Sequence, residues 1–375
     1  MSAKVLHIQR KNRTPNITVV GLQDFDYREG ETIDLTVVEK PNITLYCLDP
    51  IERRAIFVET PINIDLSQPP FYYLAQYEHA EKLIAVPLEE LSKLVARIDR
   101  IEQLIAIYSV GRCGSTLLSK VFNRLDTVLS LSEPDVFSQI VGLRNGDRSN
   151  DEEIMELLKV CICLLAKQKP QKLSCCAIKL RGIGIGLGDL IARAFPDAKS
   201  IFLYRNAEDV IKSSIRSFDA FSKLLPTIEE NIDLYSRYIP LLKDYAADID
   251  YTDSRAIDLY TVGWLSKMQS YLSLHERGII TCAIRYEDLV TQPQEIVTSL
   301  FQKCNLPVSD IVSVLTVFKS DSQGNSTLSR ENTLKNQSEP LDTLEIRKKI
   351  DSLLKKHPAI KTPDFIVPDT LGYPS

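Results

Sequence analysis

Polar and apolar residues alternate in short bursts early in the chain and give way to longer apolar blocks further on. Between Ile17 and Pro61 the stretches ITVV, TIDLTVV, ITLYC and RAIFVE are separated by turns containing Asn, Pro and Gly, the pattern of short β-strands. SQPPFYY, Ser67 to Tyr73, should interrupt any regular element. From Pro87 onward, Leu88, Leu91, Leu94, Val95 and Ile98 recur at helical spacing. Residues 1–98 thus read as a small, β-rich N-terminal region of unknown role that ends in a connecting helix.

Over residues 99–375 the rhythm becomes strand, loop, helix. LIAIYSV (Leu104 to Val110) is a continuous apolar run of the kind buried on both faces of a parallel sheet. Further strands are expected at Thr127–Leu131, Ser174–Leu180, Ser200–Arg205 and Ile279–Tyr286. Helices are expected at Ser115–Leu125, Glu152–Lys167, Ala207–Arg216, Thr227–Tyr245, Ala256–Glu276 and Pro293–Cys304. IRKKIDSLLKKH reads as an amphipathic helix with a solvated basic face. Strands alternating with helices give the α/β class, here three layers around a central parallel sheet.

Composition narrows the function. Hydrophobic residues are 44% and charged residues 25% of 375, an ordinary globular balance. Lys plus Arg is 45 against Asp plus Glu 50, a formal net charge of −5. Such a chain lacks the basic excess that supplies affinity for nucleic acid or anionic membranes, so neither is an expected partner. An anionic ligand has to be held by a local cluster. The N-terminal MSAKVLHIQRKNRTPN has no apolar run after its basic residues, so no secretory signal is expected. VCICLLA, Val160 to Ala166, is far short of the roughly 20 residues that span a bilayer. Eight cysteines without zinc spacing fit free, buried thiols, and the expected compartment is the cytoplasm. No metal site is expected.

The strongest local signal is YSVGRCGSTLL, Tyr108 to Leu118, a buried strand running through a Gly-containing turn into a helix. Gly111 and Gly114 permit the turn, and the loop N–H groups with the helix N-terminus favour a negative charge. Arg112 adds a planar cation, and Ser115 and Thr116 add hydroxyl donors. No Lys follows Gly114, so this is not the Walker A form of a phosphate loop. A second anchor is SIFLYRNAEDVIKSSIRS, in which Arg205 ends a strand and Ser213 follows eight positions later in a helix. At 1.5 Å per residue, Ser213 lies about 9 Å along the helix, within joint reach of an Arg and a small anion.

With these motifs the chain resembles the sulfotransferases that use 3′-phosphoadenosine 5′-phosphosulfate (PAPS), a family with a P-loop-type fold. RCGST matches the family loop of a basic residue, a small residue, Gly and two hydroxyl residues, with Cys113 in a place where Ser is commoner. The resemblance implies that Gly111, Cys113, Gly114, Ser115 and Thr116 hold the 5′-phosphosulfate, with Arg112 along the bridge between phosphate and sulfate. It implies that Arg205 and Ser213 hold the 3′-phosphate. IRYEDLVTQPQEIVTSLFQKCNLP, up to Pro307, matches a third family stretch, in which Tyr286 would stack near the adenine while Glu287 and Asp288 serve the architecture. The family also closes its donor site with a C-terminal basic loop, for which QGNSTLSRENTLKN, with Ser329, Arg330 and Lys335, is a loose match.

Sulfuryl transfer needs a base for the acceptor proton and positive charge over the sulfate oxygens. LSLSEPDVF puts Glu133 at a strand's carboxyl end, where α/β sites lie, the plainer reading being a helix-capping role shared with Asp135. By resemblance to the tyrosylprotein and carbohydrate branches, Glu133, twenty-one residues after Arg112, is the catalytic base. The aryl and steroid branch uses a His after a Lys. Here AIKLRG supplies Lys179 but no His, so Lys179 is assigned to charge stabilisation. His7, His79, His275 and His357 all read as surface residues. The acceptor, a small molecule, carbohydrate or peptide, is not encoded in any motif, and neither is the oligomeric state. An ATP-dependent small-molecule kinase and a non-catalytic sulfonucleotide-binding protein are the alternatives.

Overall fold

In the computed structural model of the chain, residues 2–374 are described except 14–17, 99–100, 168–173, 310, 325, 327–328, 330–331 and 333–341. β1 (Ser2–Lys11), β2 (Phe25–Asp34), β3 (Ile43–Asp49), β4 (Arg54–Glu59) and β5 (Lys82–Pro87) form one sheet in the order β2-β1-β5-β4-β3. Its pairings are antiparallel. β3 is buried throughout and β4 at its four central positions, which is why both read as continuous apolar runs.

The expectations for this region need three corrections. ITVV forms no strand at Thr18–Val20, and Ile17 lies outside the described residues. TIDLTVV splits: Thr32–Asp34 close β2, and Leu35–Glu39 wind into a 3-10 helix because the Asp34 carboxylate accepts from Thr36 N at 2.8 Å. After SQPP a helix, Tyr72–His79, begins at once, since Pro69 and Pro70 stop a strand without hindering a helix that starts beyond them.

β6 (Gln103–Ser109), β7 (Val128–Ser132), β8 (Cys175–Lys179), β9 (Lys199–Tyr204) and β10 (Cys282–Arg285) form the second sheet, in the order β10-β9-β6-β8-β7, with parallel pairing. This is the parallel α/β sheet expected from the strand–helix rhythm. Strand order reverses at β6, so the loops after β6 and β9 leave in different directions, a common place for ligands in open α/β sheets.

The chain divides into two compact units. One comprises Met1–Ala106, Phe122–Leu180 and Leu190–Ala198. Within it the antiparallel sheet is tied to the turn after β7. Asp135 Oδ2 accepts from Val20 N at 2.9 Å, Ser132 Oγ donates to Pro70 O at 2.7 Å, and the Gln139 amide makes two bonds to the Leu48 backbone. Asp135 therefore makes no side-chain cap for the helix Val136–Leu143.

The other unit comprises Ile107–Val121, Arg181–Asp189 and Lys199–Ser375. Its long helix, Ile257–Glu276, is packed by the amphipathic helix Thr343–Lys356, which buries Ile346, Ile350, Leu353 and Leu354. The helix expected over Thr227–Tyr245 is instead three short ones, Leu225–Glu230, Ile232–Tyr235 and Leu242–Tyr245. They are broken at Asn231, whose backbone leaves the helical region, and around Pro240, which has no N–H to donate. His357 is buried, contrary to expectation, because its Nδ1 accepts from Ala359 N and Ile360 N. None of the eight cysteines is in a disulfide, and only Cys163 is not fully buried. No helix among the described residues is long and apolar enough to cross a membrane.

Candidate functional site

Between the end of β6 and the helix Ser115–Phe122, the chain turns through three positive φ angles: Gly111 at 84°, Arg112 at 53° and Gly114 at 80°. Such a run turns backbone N–H groups toward one hollow, an arrangement that receives anions. Gly114 is required twice over, by its φ and because a β-carbon there would stand 2.7 Å from the Tyr286 ring. Arg112 has no such freedom, and its left-handed backbone costs about 1–3 kcal/mol, a strain typical of ligand-binding turns. Ser115, Thr116 and Cys113 are buried. Cys113 Sγ donates to Leu203 O at 3.4 Å, and Val110 N donates to the same carbonyl at 3.1 Å, so the loop is fastened to β9.

Arg112 reaches across this hollow. Its Nε donates to Ser213 Oγ at 2.9 Å and its Nη1 to Gln323 Oε1 at 3.1 Å. Ser213 stands on the helix Ala207–Ser217, which Asn206 caps by accepting from Glu208 N. Ser213 thus meets Arg112, whereas the sequence pairs it with Arg205. The Arg205 guanidinium lies 4.6 Å from the centre of the Tyr286 ring, and its Nη2 donates to Asp209 at 3.0 Å. Its Nε is buried and has no acceptor among the described residues. A buried donor left in this state costs about 1–3 kcal/mol, so the pocket suits an anion that would accept from it. Tyr286 therefore lies between Gly114 and Arg205, while Glu287 pairs with Arg285 and accepts from Asn206 N. In the C-terminal loop, Ser329 is buried, and Arg330 and Lys335 lie outside the described residues.

Glu133 and Lys179 belong to the first unit. Parallel register pairs Ser132 of β7 with Lys179 of β8, which sets Glu133 just past its neighbour's end. Glu133 N donates to Lys179 O at 2.7 Å, and the Lys179 ammonium donates directly to the Glu133 carboxylate. The Lys179 side chain is 4% exposed and that of Glu133 15%, so the carboxylate is the more accessible end of the pair. Glu133 adopts φ 60°, a left-handed backbone ahead of Pro134, which disfavours an ordinary helical conformation there. Strain at an acidic strand end is the second such outlier at a candidate residue.

Two groups were not singled out in the sequence, although one of them opens the C-terminal stretch QGNSTLSRENTLKN. Gln323 contacts Arg112 from 211 residues away. Lys267, in the long helix, runs past Gly182 near the end of β6, with only the small Gly263 four residues earlier as a sequence sign.

Residues 186–310 match the family model described as the sulfotransferase family. That stretch contains Arg205, Ser213 and Tyr286, and leaves out Gly111–Thr116, Glu133 and Lys179. Nothing matches among curated proteins. Of solved structures, the sulfotransferase domain from the curacin biosynthetic pathway is 17% identical, over 67% of this chain and 98% of its own, with a TM-score of 0.39. A sulfotransferase from Alicyclobacillus acidocaldarius is 14% identical over 69% and 98%, with a TM-score of 0.35. A mouse sulfotransferase complexed with PAP is 14% identical over 71% and 88%, with a TM-score of 0.37. At such TM-scores the overlap carries no weight for the site.

Proposed function

We propose that this chain, whose residues 186–310 match the sulfotransferase family model, transfers a sulfuryl group from PAPS to a hydroxyl or amine of a small-molecule, carbohydrate or peptide acceptor. The observation that carries the reading is the buried Arg205 Nε without an acceptor, close to a loop of positive-φ residues and a bonded Arg112–Ser213 pair. In this reading, Arg205 and Ser213 bind the 3′-phosphate. The loop backbone from Gly111 through Cys113 and Gly114, with the Ser115 and Thr116 hydroxyls, binds the 5′ end, and Arg112 neutralises charge there. Tyr286 is the neighbour assigned to the adenine.

Glu133 takes the proton from the acceptor as the acceptor oxygen or nitrogen attacks sulfur. The bond from sulfur to the 5′-phosphate oxygen breaks, and 3′,5′-diphosphoadenosine (PAP) departs with that electron pair. Lys179, bonded to Glu133, fixes the carboxylate and supplies positive charge as the sulfuryl group moves. Thiols outside any disulfide support a reducing, cytoplasmic setting. Calorimetric titration with PAP, with ATP as the comparison, tests the assignment. Saturable binding of PAP in preference to ATP is expected, and ATP binding without PAP binding would sink it in favour of a kinase.

A further inference from the structure

The helix Ile257–Glu276 presents Trp264 and Lys267 one turn apart. Trp264 Nε1 donates to Arg205 O at 3.1 Å, which fastens this part of the helix to the end of β9. Lys267 runs over two bare stretches of backbone. Its Cε is 2.7 Å from the point that a β-carbon on Gly182 would occupy, and that point is 3.0 Å from Ser109 O, the last residue of β6 before the loop. Its Nζ is 3.8 Å from the corresponding point on Gly263. Any larger residue at 182 would displace this side chain, whereas a β-carbon at 263 would meet its Nζ only in ordinary van der Waals contact.

Among the described residues, no hydrogen-bond acceptor or carboxylate partners the Lys267 ammonium. The segment Gly182–Leu187 brings no ionisable side chain. On the helix Ala207–Ser217, Glu208 pairs with Lys212 and Asp209 with Arg205. The charge that bears on the Lys267 ammonium is that of Cys113, in the loop that follows Ser109. Lys179, by contrast, is already bonded to Glu133.

We infer that Lys267 is a further cation of the donor site, its ammonium contacting the 5′-phosphosulfate held by the loop that contains Cys113. The inference rests on the sulfotransferase reading. Burial lowers the pKa of Lys267 to about 8, with Cys113 acting weakly in the other direction. A bound anion raises it again, so donor binding near pH 8 takes up a proton.

The test is calorimetry with PAP at pH 8 in two buffers of different ionisation enthalpy. Wild-type protein should take up roughly half a proton per PAP bound. Lys267→Met, which keeps most of the apolar stem, should abolish that uptake and bind PAP about tenfold to a hundredfold more weakly. Lys267→Arg should recover part of the affinity without the uptake. Binding by the wild type with no proton uptake overturns the inference without needing any variant to fold. So does a Lys267→Met protein that keeps both affinity and uptake. Failure of the wild type to bind PAP at all is a different result, which removes the sulfotransferase reading and the inference with it.

Discussion

Around Arg205 hydrogen-bonding capacity is left over, whereas at Lys179 it is consumed. The Arg205 Nε is buried with no acceptor among the described residues, yet the Lys179 ammonium is bonded to Glu133. The two groups also lie in different units of the chain. The proposed roles would account for the difference. A pocket for an anion gains affinity from donors that are already dehydrated and pointing inward, because the ligand then offsets a cost the empty protein carries. A carboxylate that acts as a base has to keep its position with no ligand present, and a buried charge without a counter-charge is expensive. Backbone strain is common to both, at Arg112 and at Glu133.

Three experiments can break or sharpen this contrast. The largest effect is expected at Glu133. Glu133→Gln should lower sulfuryl transfer by about 10²- to 10⁴-fold while PAP binding stays unchanged, read by a turnover assay beside calorimetry. Unchanged turnover would leave the Glu133–Lys179 pair as architecture alone. Next is Arg205→Met, which removes the unspent donor and should weaken PAP by about 10- to 100-fold, with much less change for a nucleotide lacking the 3′-phosphate. Equal weakening for both nucleotides would detach Arg205 from the 3′-phosphate. The smallest effect is on stability. Gly114→Ala meets the Tyr286 ring at 2.7 Å and a φ of 80°, and should destabilise the protein by about 1–3 kcal/mol in denaturant unfolding. A neutral result would mean that the loop backbone is not held by Tyr286 as described.

The parallel sheet was legible because its strands are uninterrupted apolar runs: LIAIYSV became β6 and SIFLYR became β9. The loop after β6 was legible for a related reason, since its glycines and hydroxyl residues are consecutive. β1 was not, because its buried and exposed positions follow partners distant in sequence more than any strict alternation, and β5 was not, because its short apolar run LIAV has no period to tell a strand from a helix. Asn231 and Pro240 were visible but outweighed by an apolar periodicity that suggested one long helix. At the site, local spacing suggested that Ser213 serves Arg205, and only the turned backbone at Arg112 brings that guanidinium to Ser213 instead. Lys267 had no motif at all, since the room for its side chain comes from Gly182, in a separate element.

The tail after the helix Thr343–Lys356 has a consequence for handling the protein. Ala283 N donates to Asp369 O, and Leu371 N donates to Ala283 O, each at 2.9 Å, so Thr370 bridges to β10, the outermost strand of its sheet. Tyr204 and Arg285 hold the same tail through Thr370 and Tyr373. An outermost strand with free N–H and C=O groups is a template for another chain. Trimming the tail would therefore bare a sticky edge, and its cost would appear as self-association and lost solubility long before it appeared in turnover.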